Sequence, residues 1–429
     1  MKDRFIDIVI FLSMDWKSCG RYSIGNFGDA PFIRKLSKLP GIRILCVNQP
    51  FTPVETTLGK RSKAKNWMKG DRLERLDDTL YLYTPFAFVH EMLAIYSPLL
   101  QKMNAAVLSR QIRRRLSTLG LVSPVRLSWI YHPLQHGYLG AAGEGLKIYK
   151  CWDLYRARCH SEKLARAIAR SEEKIISECD AILTPCMNLY KELSIVKGNT
   201  FFTPAGVDCN EPGRESRSVR EETDKLRRPI IGFAGIISKR VDMSLIRFLA
   251  ESHPQWSVVM VGKIHADREL LGSTDYRVCQ GLRNVHFLGF KEFDVLPLYI
   301  ENFDVCLLPH SDIDVMRYSH PYKTLQYLAA GKPVVSTDFP DARYYREVIR
   351  VARGHREFAA MVEESLRDDR GADVAKRIAF AKGNTWEKRA EETYDIILNL
   401  IHAKGAGYGE KAVCGTRGGK RFSSSASRV

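Results

Sequence analysis

The residues best suited to chemistry lie in one stretch, Ser319 to Asp338, where a lysine stands beside the start of a short helix. Pro321 suits the first helical position, because a missing backbone N–H costs nothing there. Gly331 is expected to end the helix in a left-handed conformation, and PVVS then predicts a buried strand. Free N–H groups at a helix start, together with the Lys323 side chain, favour a phosphate group. We therefore predict an anion site at Lys323.

Two more cations and a histidine follow predicted strands. Gly235 ends the apolar run PIIGFAG, and Lys239 and Arg240 come shortly after it. His132 ends the run RLSWIYH. Ligands of α/β proteins bind at the carboxyl ends of parallel strands, and a glycine lets the backbone approach them closely. The alternatives are two solvated surface cations and a loop histidine without a role.

The pattern P-x-K-x-x-x-Y-L-A-A-G-K-P-V-V-S-T resembles the donor-site segment of GT-B glycosyltransferases, especially retaining enzymes of the large family-four type. The resemblance implies that Lys323 and the helix start hold the diphosphate of a nucleotide sugar. Two glutamates of that family correspond to Gln326 and to Tyr318, beside Ser319, and all three are expected at the donor. An amide can hydrogen-bond a ribose diol, but it carries no negative charge.

The resemblance is close from Pro229 to His402 and looser before it. The family's phosphate-binding arginine would fall on Ile236, so its role is expected to pass to Lys239 or Arg240. A histidine at the end of a strand of the first domain often faces the donor sugar in this family, which makes His132 a candidate catalytic residue with Lys323. The resemblance assigns three more residues to donor binding: Gly262, Phe290 and Pro309. Asp153 is expected either to orient an acceptor hydroxyl or to cap a helix.

Strands and helices alternate in both halves of the chain, which predicts an α/β fold with a doubly wound parallel sheet in each half. The resemblance makes these two Rossmann-like domains of a GT-B fold, facing across a cleft, with a C-terminal helix that crosses back. The polar segment 210–228 marks the boundary between them. We predict domains at 1–212 and 228–385, a crossover helix at 386–403 that packs on the first domain, and a disordered basic tail at 404–429.

The composition is typical of a globular protein, with 45% hydrophobic and 27% charged residues, but the net charge is +17. Ten scattered cysteines and the lack of a signal peptide or a long apolar stretch indicate a cytoplasmic protein.

An apolar stripe from Val89 to Val107 runs into six basic residues between Lys102 and Arg126, with no acid among them. Such a helix can lie on the inner face of an anionic membrane. A core-facing helix with a solvated basic end is the simpler interpretation.

The function that the resemblance implies is sugar transfer from a nucleotide sugar to a lipid-linked or polysaccharide acceptor, with retention and without a metal or other cofactor. The phrases around SKRVD and NTWEKR are similar to a bacterial subgroup that builds cell-surface polysaccharides of teichuronic-acid type. The alternative is a non-catalytic nucleotide-sugar or glycan-binding protein. An epimerase would need carboxylates near the donor that the sequence does not identify. Nucleic acid is not expected as a partner, because the basic clusters lack interleaved aromatic residues.

Overall fold

The structure is a computed structural model that describes residues 5–16, 29–53, 73–209, 217–292, 295–368 and 370–405. Most of the predicted basic tail lies outside these residues, as does the part of the polar boundary segment from 210 to 216. The domain boundaries proposed from the sequence therefore stay predictions.

The first half of the chain folds into an eight-stranded sheet in the order β3-β4-β2-β1-β5-β6-β7-β8. Among the strand pairs that the described residues form in this sheet, only β3–β4 is antiparallel. Central β1 pairs with β2 and β5, with Ile6 opposite Ile42 on one side and Val125 on the other. The strands are β1 Ile6–Phe11, β2 Ile42–Val47, β3 Leu73–Arg75, β4 Leu80–Tyr83, β5 Val125–Ile130, β6 Leu146–Lys150, β7 Ala181–Thr184 and β8 Thr200–Phe202.

The second half forms a fully parallel six-stranded sheet in the order β11-β10-β9-β12-β13-β14. Its strands are β9 Ile230–Ala234, β10 Ser257–Val261, β11 Val285–Gly289, β12 Val305–Leu308, β13 Val334–Thr337 and β14 Arg350–Ala352. Strands β9 and β10 are buried on both faces, as their unbroken apolar sequences predict. The expected α/β fold with two parallel-sheet domains is confirmed.

Helices connect the strands and cover both faces of the sheets. They are α1 Asp29–Leu36, α2 Glu91–Ala94, α3 Pro98–Thr118, α4 Glu162–Glu178, α5 Met187–Val196, α6 Arg217–Thr223, α7 Met243–Ser252, α8 Arg268–Gly272, α9 Thr274–Gly281, α10 Leu296–Asn302, α11 Lys323–Ala329, α12 His355–Asp368, α13 Gly371–Lys382 and α14 Trp386–Ala403. Short 3-10 helices lie at 133–138, 155–158, 314–318 and 340–345.

The last helix, α14, returns to the first domain. Its buried side chains Trp386, Ile397 and Ile401 belong to the same apolar cluster as β1 and α1. Tyr394 Oη donates a hydrogen bond to the carbonyl of Pro40 at 3.1 Å. Thr385 caps the helix by accepting from the backbone N–H of Lys388. This helix therefore joins the chain end to the opposite domain, as expected for the crossover.

The apolar stripe from Val89 to Val107 is not one helix. Ser97 interrupts it as the N-cap of α3, and only the short α2 precedes that cap. The buried face of α3 consists of Leu108, Ile112 and Leu116 together with Asn104. The later part of the segment therefore faces the core, as the simpler interpretation holds, while the earlier part leaves large apolar side chains exposed.

Candidate active site

The site is built at the carboxyl edge of the second sheet, around the side chain of Lys323. The Nζ of Lys323 lies 4.3 Å from the centroid of the Phe233 ring, on β9. A Cβ added to Gly235 would collide with this ammonium, and would lie 2.8 Å from Cζ of Phe233. The side chain of Lys323 thus lies directly on the backbone that follows β9. The absence of a side chain at Gly235 makes this position possible.

Burial and the nearby guanidinium of Arg240 lower the pKa of Lys323 to about 7. The same surroundings, burial first and then Lys323, lower the pKa of His310 to about 3. Neither ring nitrogen of His310 has a hydrogen-bond partner among the described residues. No carboxylate of the described residues contributes to the lowered pKa of Lys323 or of His310, whereas Arg240 also lies near Asp153 and Asp267. A bound anion would stabilise the Lys323 ammonium in this environment.

The sequence left the second phosphate cation open between Lys239 and Arg240, and the structure separates the two. Lys239 forms an ion pair with Glu269 at 2.8 Å, and its backbone N–H donates to Asp267. Its side chain is 48% exposed. Arg240 instead lies close enough to Lys323 and Asp153 for its charge to lower the pKa of both. The ion pair with Glu269 holds the Lys239 side chain on the outer surface, and its role in phosphate binding stays a prediction.

Gly262 allows the backbones of neighbouring strands to approach closely at this edge. Its φ of 148° is in the region that favours glycine, and an added Cβ would collide with the carbonyl oxygen of Gly235. Its backbone N–H donates to Gly289 at 2.9 Å. The backbones at the ends of β9, β10 and β11 therefore contact each other directly, which fixes the position of Gly235 beside the Lys323 side chain.

Gly331 ends α11 with a φ of 70°, as the sequence predicts. The backbone N–H of Lys332 donates to the carbonyl of Tyr327 at 3.0 Å, which is the longer bond of a glycine-capped helix end. The helix begins later than expected, at Lys323 rather than at Pro321. A phosphate at this edge would therefore be held by the Lys323 side chain and the neighbouring Arg240 rather than by an extended helix start.

His132 lies at the carboxyl edge of the first sheet, directly after Tyr131. Its Nδ1 accepts a hydrogen bond from the backbone N–H of Leu134 at 3.1 Å. Because Nδ1 is an acceptor, the proton of the neutral ring is on Nε2. Burial, followed by the charge of Arg158, lowers the pKa of His132 to about 4. His132 is therefore neutral near pH 7 and can offer an N–H donor to a sugar oxygen.

The hydroxyl groups of Tyr318 and Ser319 form hydrogen bonds with Glu192 and Val315. The phenol of Tyr318 donates to Glu192 on α5 at 2.7 Å, which bridges the two domains. The hydroxyl of Ser319 donates to the carbonyl of Val315 at 2.9 Å. The two hydroxyls therefore take part in a domain contact and a turn, and the donor role of both residues stays a prediction.

The remaining predicted donor residues lie around the same edge. Phe290 follows β11 and is 40% exposed, so its ring is accessible. The carbonyl of Pro309 accepts from the N–H of Asp242 at 2.8 Å, which fixes the loop after β12. Gln326 is half-buried on α11. These positions neither confirm nor overturn the donor role, which remains a prediction for them.

Arg158 was missed by the sequence reasoning. It ends the 3-10 turn at 155–158 and forms an ion pair with Asp153 at 2.5 Å. Its charge lowers the pKa of Arg240, which belongs to the other domain. Asp153 is 8% exposed, and burial raises its pKa against the effect of both arginines. An arginine of the first domain thus faces the cationic site of the second, a proximity that no sequence spacing indicates.

A buried network holds the two domains together beside the site. Nδ1 of His320 lies 2.9 Å from Oδ2 of Asp341, and both side chains are at most 3% exposed. The other oxygen of Asp341 accepts from the backbone N–H of Met187, at the start of α5. The Nε2 of His320 accepts from the N–H of Ala205 at 3.4 Å. These bonds connect the second domain to two segments of the first.

Among the described residues, no helix is long and apolar enough to cross a membrane. Within the same residues, no group of three or more histidine, cysteine, aspartate or glutamate side chains could hold a metal ion. The expected independence from a metal is not tested by this finding and stays a prediction.

Residues 228–368 match the family described as glycosyl transferases group 1. TuaH of Bacillus subtilis (strain 168), whose name assigns it to teichuronic acid biosynthesis as a glycosyltransferase, is 26% identical over 210 residues. That match covers 45% of this chain and 50% of TuaH, so the chain spans about half the length of the curated relative.

Solved structures resemble nearly the whole chain. Sucrose-phosphate synthase from Thermosynechococcus elongatus has a TM-score of 0.63 and 14% identity, with 93% of this chain and 100% of that chain covered. HepE of Anabaena in complex with UDP has a TM-score of 0.61 and 13% identity, with 92% and 100% covered. At these identities the likeness concerns the fold alone, and it confirms the expected GT-B architecture.

Proposed function

We propose that the protein is a glycosyltransferase of the group 1 family, whose description matches residues 228–368, and that it transfers a sugar from a nucleotide-sugar donor to a glycan or lipid-linked acceptor. The observation that carries this proposal is the position of Lys323 beside Gly235, with Arg240 close by. The relative TuaH supports a role in cell-surface polysaccharide synthesis. HepE, described with UDP and with UDP and glucose, supports a uridine nucleotide as the first probe.

The charges suit the reaction. Cleavage of the bond from the anomeric carbon to the diphosphate develops negative charge on the leaving diphosphate. Lys323 and Arg240 would stabilise that charge. A pKa near 7 leaves Lys323 partly neutral without a ligand, and a bound diphosphate would draw it to the charged form. His132 would donate its Nε2–H to a hydroxyl of the donor sugar, since Nδ1 is occupied.

The proposal is tested by ligand binding and turnover. UDP, GDP and ADP are compared for their ability to raise the melting temperature, because a ligand that binds the native state stabilises it. The matching nucleotide sugar is then assayed for acceptor-dependent release of the nucleoside diphosphate. Lys323→Ala should lose both responses while its unliganded melting temperature is retained. No response of the wild-type protein to any of the three nucleotides would overturn the proposal.

A second candidate function is favoured by one observation. The position that corresponds to a family glutamate is Tyr318, and its phenol is committed to Glu192. A protein that binds nucleotide sugars without turning them over is consistent with that contact. Acceptor-dependent release of the nucleoside diphosphate separates the two candidates, because a binding protein would show affinity without release.

We also propose that the first domain docks on an anionic bilayer. Six large apolar side chains near α2 and the start of α3 are between 39% and 68% exposed: Phe88, Met92, Leu93, Tyr96, Leu99 and Met103. Exposed Lys102, Arg110 and Arg114 lie along α3, and Lys163 stacks over the Tyr96 ring at 5.1 Å. Apolar side chains beside basic ones fit the headgroup region of an anionic membrane. A lipid-linked acceptor would be found there.

Vesicle flotation tests the docking surface. The wild-type protein should float with phosphatidylglycerol-containing vesicles, and the double variant Leu93→Asp/Leu99→Asp should not. The matched control is Ile195→Asp/Val196→Asp, which changes two apolar residues that are 87% and 70% exposed on α5. Equal flotation of both double variants would contradict this surface, as would equal binding to neutral vesicles.

A further inference from the structure

The ion pair between Asp153 and Arg158 lies where the two domains face each other. Asp153 follows β6 at the carboxyl edge of the first sheet and is 8% exposed. Its Oδ2 lies 2.5 Å from a terminal nitrogen of Arg158. Its Oδ1 has no hydrogen-bond partner among the described residues. A carboxylate buried to this extent with one oxygen unpaired is costly, unless a ligand completes it.

Arg158 is held toward the other domain. The turn that it ends, 155–158, contacts the turn at 314–318 of the second domain. The side chain of Arg158 remains 37% exposed, so a ligand can reach it. Arg240 faces it from across the gap, with its own pKa lowered by burial and by the charge of Arg158. Two guanidinium groups from different domains approach each other here, and the present neutralising group for Arg158 is Asp153.

We propose that Asp153 and Arg158 form an exchangeable ion pair, in which a nucleoside diphosphate takes Arg158 from Asp153 and the released carboxylate accepts a hydroxyl of the acceptor. The inference rests on the proposed function and extends it to the acceptor. Arg158 becomes a third cation on the diphosphate, supplied by the first domain. Asp153 becomes a positioning residue for the acceptor that is available only when the donor is in place.

The chemistry of the two groups supports the exchange. A guanidinium forms two parallel hydrogen bonds with a phosphate as readily as with a carboxylate. A diphosphate between Arg158 and Arg240 would also remove their mutual repulsion. The Asp153 carboxylate would then have both oxygens free in a buried position. A sugar hydroxyl, which donates one hydrogen bond, would restore a partner to that carboxylate.

Calorimetric titration with UDP separates this exchange from a purely structural ion pair. Arg158→Gln should weaken UDP binding about tenfold or more, the effect expected for one charge-assisted hydrogen bond. Asp153→Asn should bind UDP as tightly as the wild type or more tightly, because Arg158 no longer has a competing carboxylate. A structural role would make the two variants lose affinity together. That parallel loss would overturn the proposal.

The variants are compared with Arg166→Gln, which removes a similar ion pair with Glu162 on the exposed face of α4, and which should leave UDP affinity unchanged. The unliganded melting temperature of each variant shows whether it folds. If Asp153→Asn fails to fold, Arg158→Lys replaces it and should lose less affinity than Arg158→Gln, because the charge remains. Equal losses would overturn the proposal. Unchanged affinity in Arg158→Gln, with loss in Lys323→Ala, would overturn this inference while the donor site stands.

Discussion

The ammonium of Lys323 lies 4.3 Å from the centroid of the Phe233 ring, two residues before the glycine whose bare backbone leaves it space. An aromatic face attracts a cation without neutralising it. Lys323 is therefore held in position while its charge stays available to an anion. A carboxylate at the same place would position the lysine equally well but would compete with the diphosphate for it.

The glycine after β9 can be tested alone. Gly235→Ala should displace the Lys323 ammonium, because the added methyl group would meet it and the Phe233 ring. We expect UDP binding to weaken about tenfold or more, in line with the loss of one charge-assisted contact. Isothermal calorimetry measures the change. Gly272→Ala is the control, since nothing lies within 4 Å of a Cβ at that position; a similar loss there would show that the effect is not local.

The pH dependence of UDP affinity follows from the pKa of Lys323, which is lowered to about 7. The charged form binds the diphosphate, so affinity should be highest below this pKa and should fall as the pH rises through it. Calorimetry between about pH 6 and about pH 9 gives the profile. Lys323→Arg should flatten it, because a guanidinium does not titrate in this range. A wild-type profile that stays flat would contradict the assignment.

The stability of the unliganded protein should change with pH in the direction opposite to UDP affinity. The pKa of Lys323 is lower in the folded chain than its ordinary value of 10.5. The unfolded chain therefore binds more protons at this residue between the two values, and the contribution of Lys323 to the free energy of unfolding rises with pH over that window. Urea denaturation at several pH values should show this rise in the wild type. The rise should be absent or smaller in Lys323→Met.

Breaking the buried network of His320, Asp341 and the Met187 N–H should cause a large loss of stability. Asp341→Ala removes the partner of His320 and of the Met187 N–H in a site that is at most 3% exposed. Buried donors left unpaired cost about 1–3 kcal/mol each, so the free energy of unfolding should fall by about 3 kcal/mol. Asp314→Ala, which breaks an exposed ion pair with Arg317, should change it by less than about 0.5 kcal/mol. Equal effects in urea denaturation would contradict the role of the network.

Removing a buried side chain of the crossover helix α14 should also lower the stability of the protein. Trp386 is 3% exposed and contacts Phe32 of the first domain and Tyr322 beside the site. Trp386→Ala should lower the free energy of unfolding by about 3–5 kcal/mol, as is usual for a buried tryptophan. The exposed Glu391→Ala on the same helix serves as the control. If the two variants unfold at the same urea concentration, α14 does not hold the domains as described.

Sequence patterns carried much of the fold and part of the site. Continuous apolar runs such as IRILCV predicted buried strands because a parallel sheet is covered on both faces. The short strands β3 and β14 were missed, since three residues are too few to show a period. Spacing singled out Lys323 and Gly235, which the structure brings together, but it could not decide between Lys239 and Arg240, whose directions differ. Sequence spacing gave no sign of Arg158, because Arg240, which faces it across the gap, belongs to the other domain.

Calorimetric titration of UDP into the wild-type protein and Lys323→Ala tests the central claim most directly, with Lys332→Ala, at the opposite end of α11, as the matched control. The account predicts that the wild type and Lys332→Ala bind with the same affinity, and that Lys323→Ala loses about tenfold or more. Binding of UDP by Lys323→Ala at wild-type affinity, with its fold intact, would contradict it.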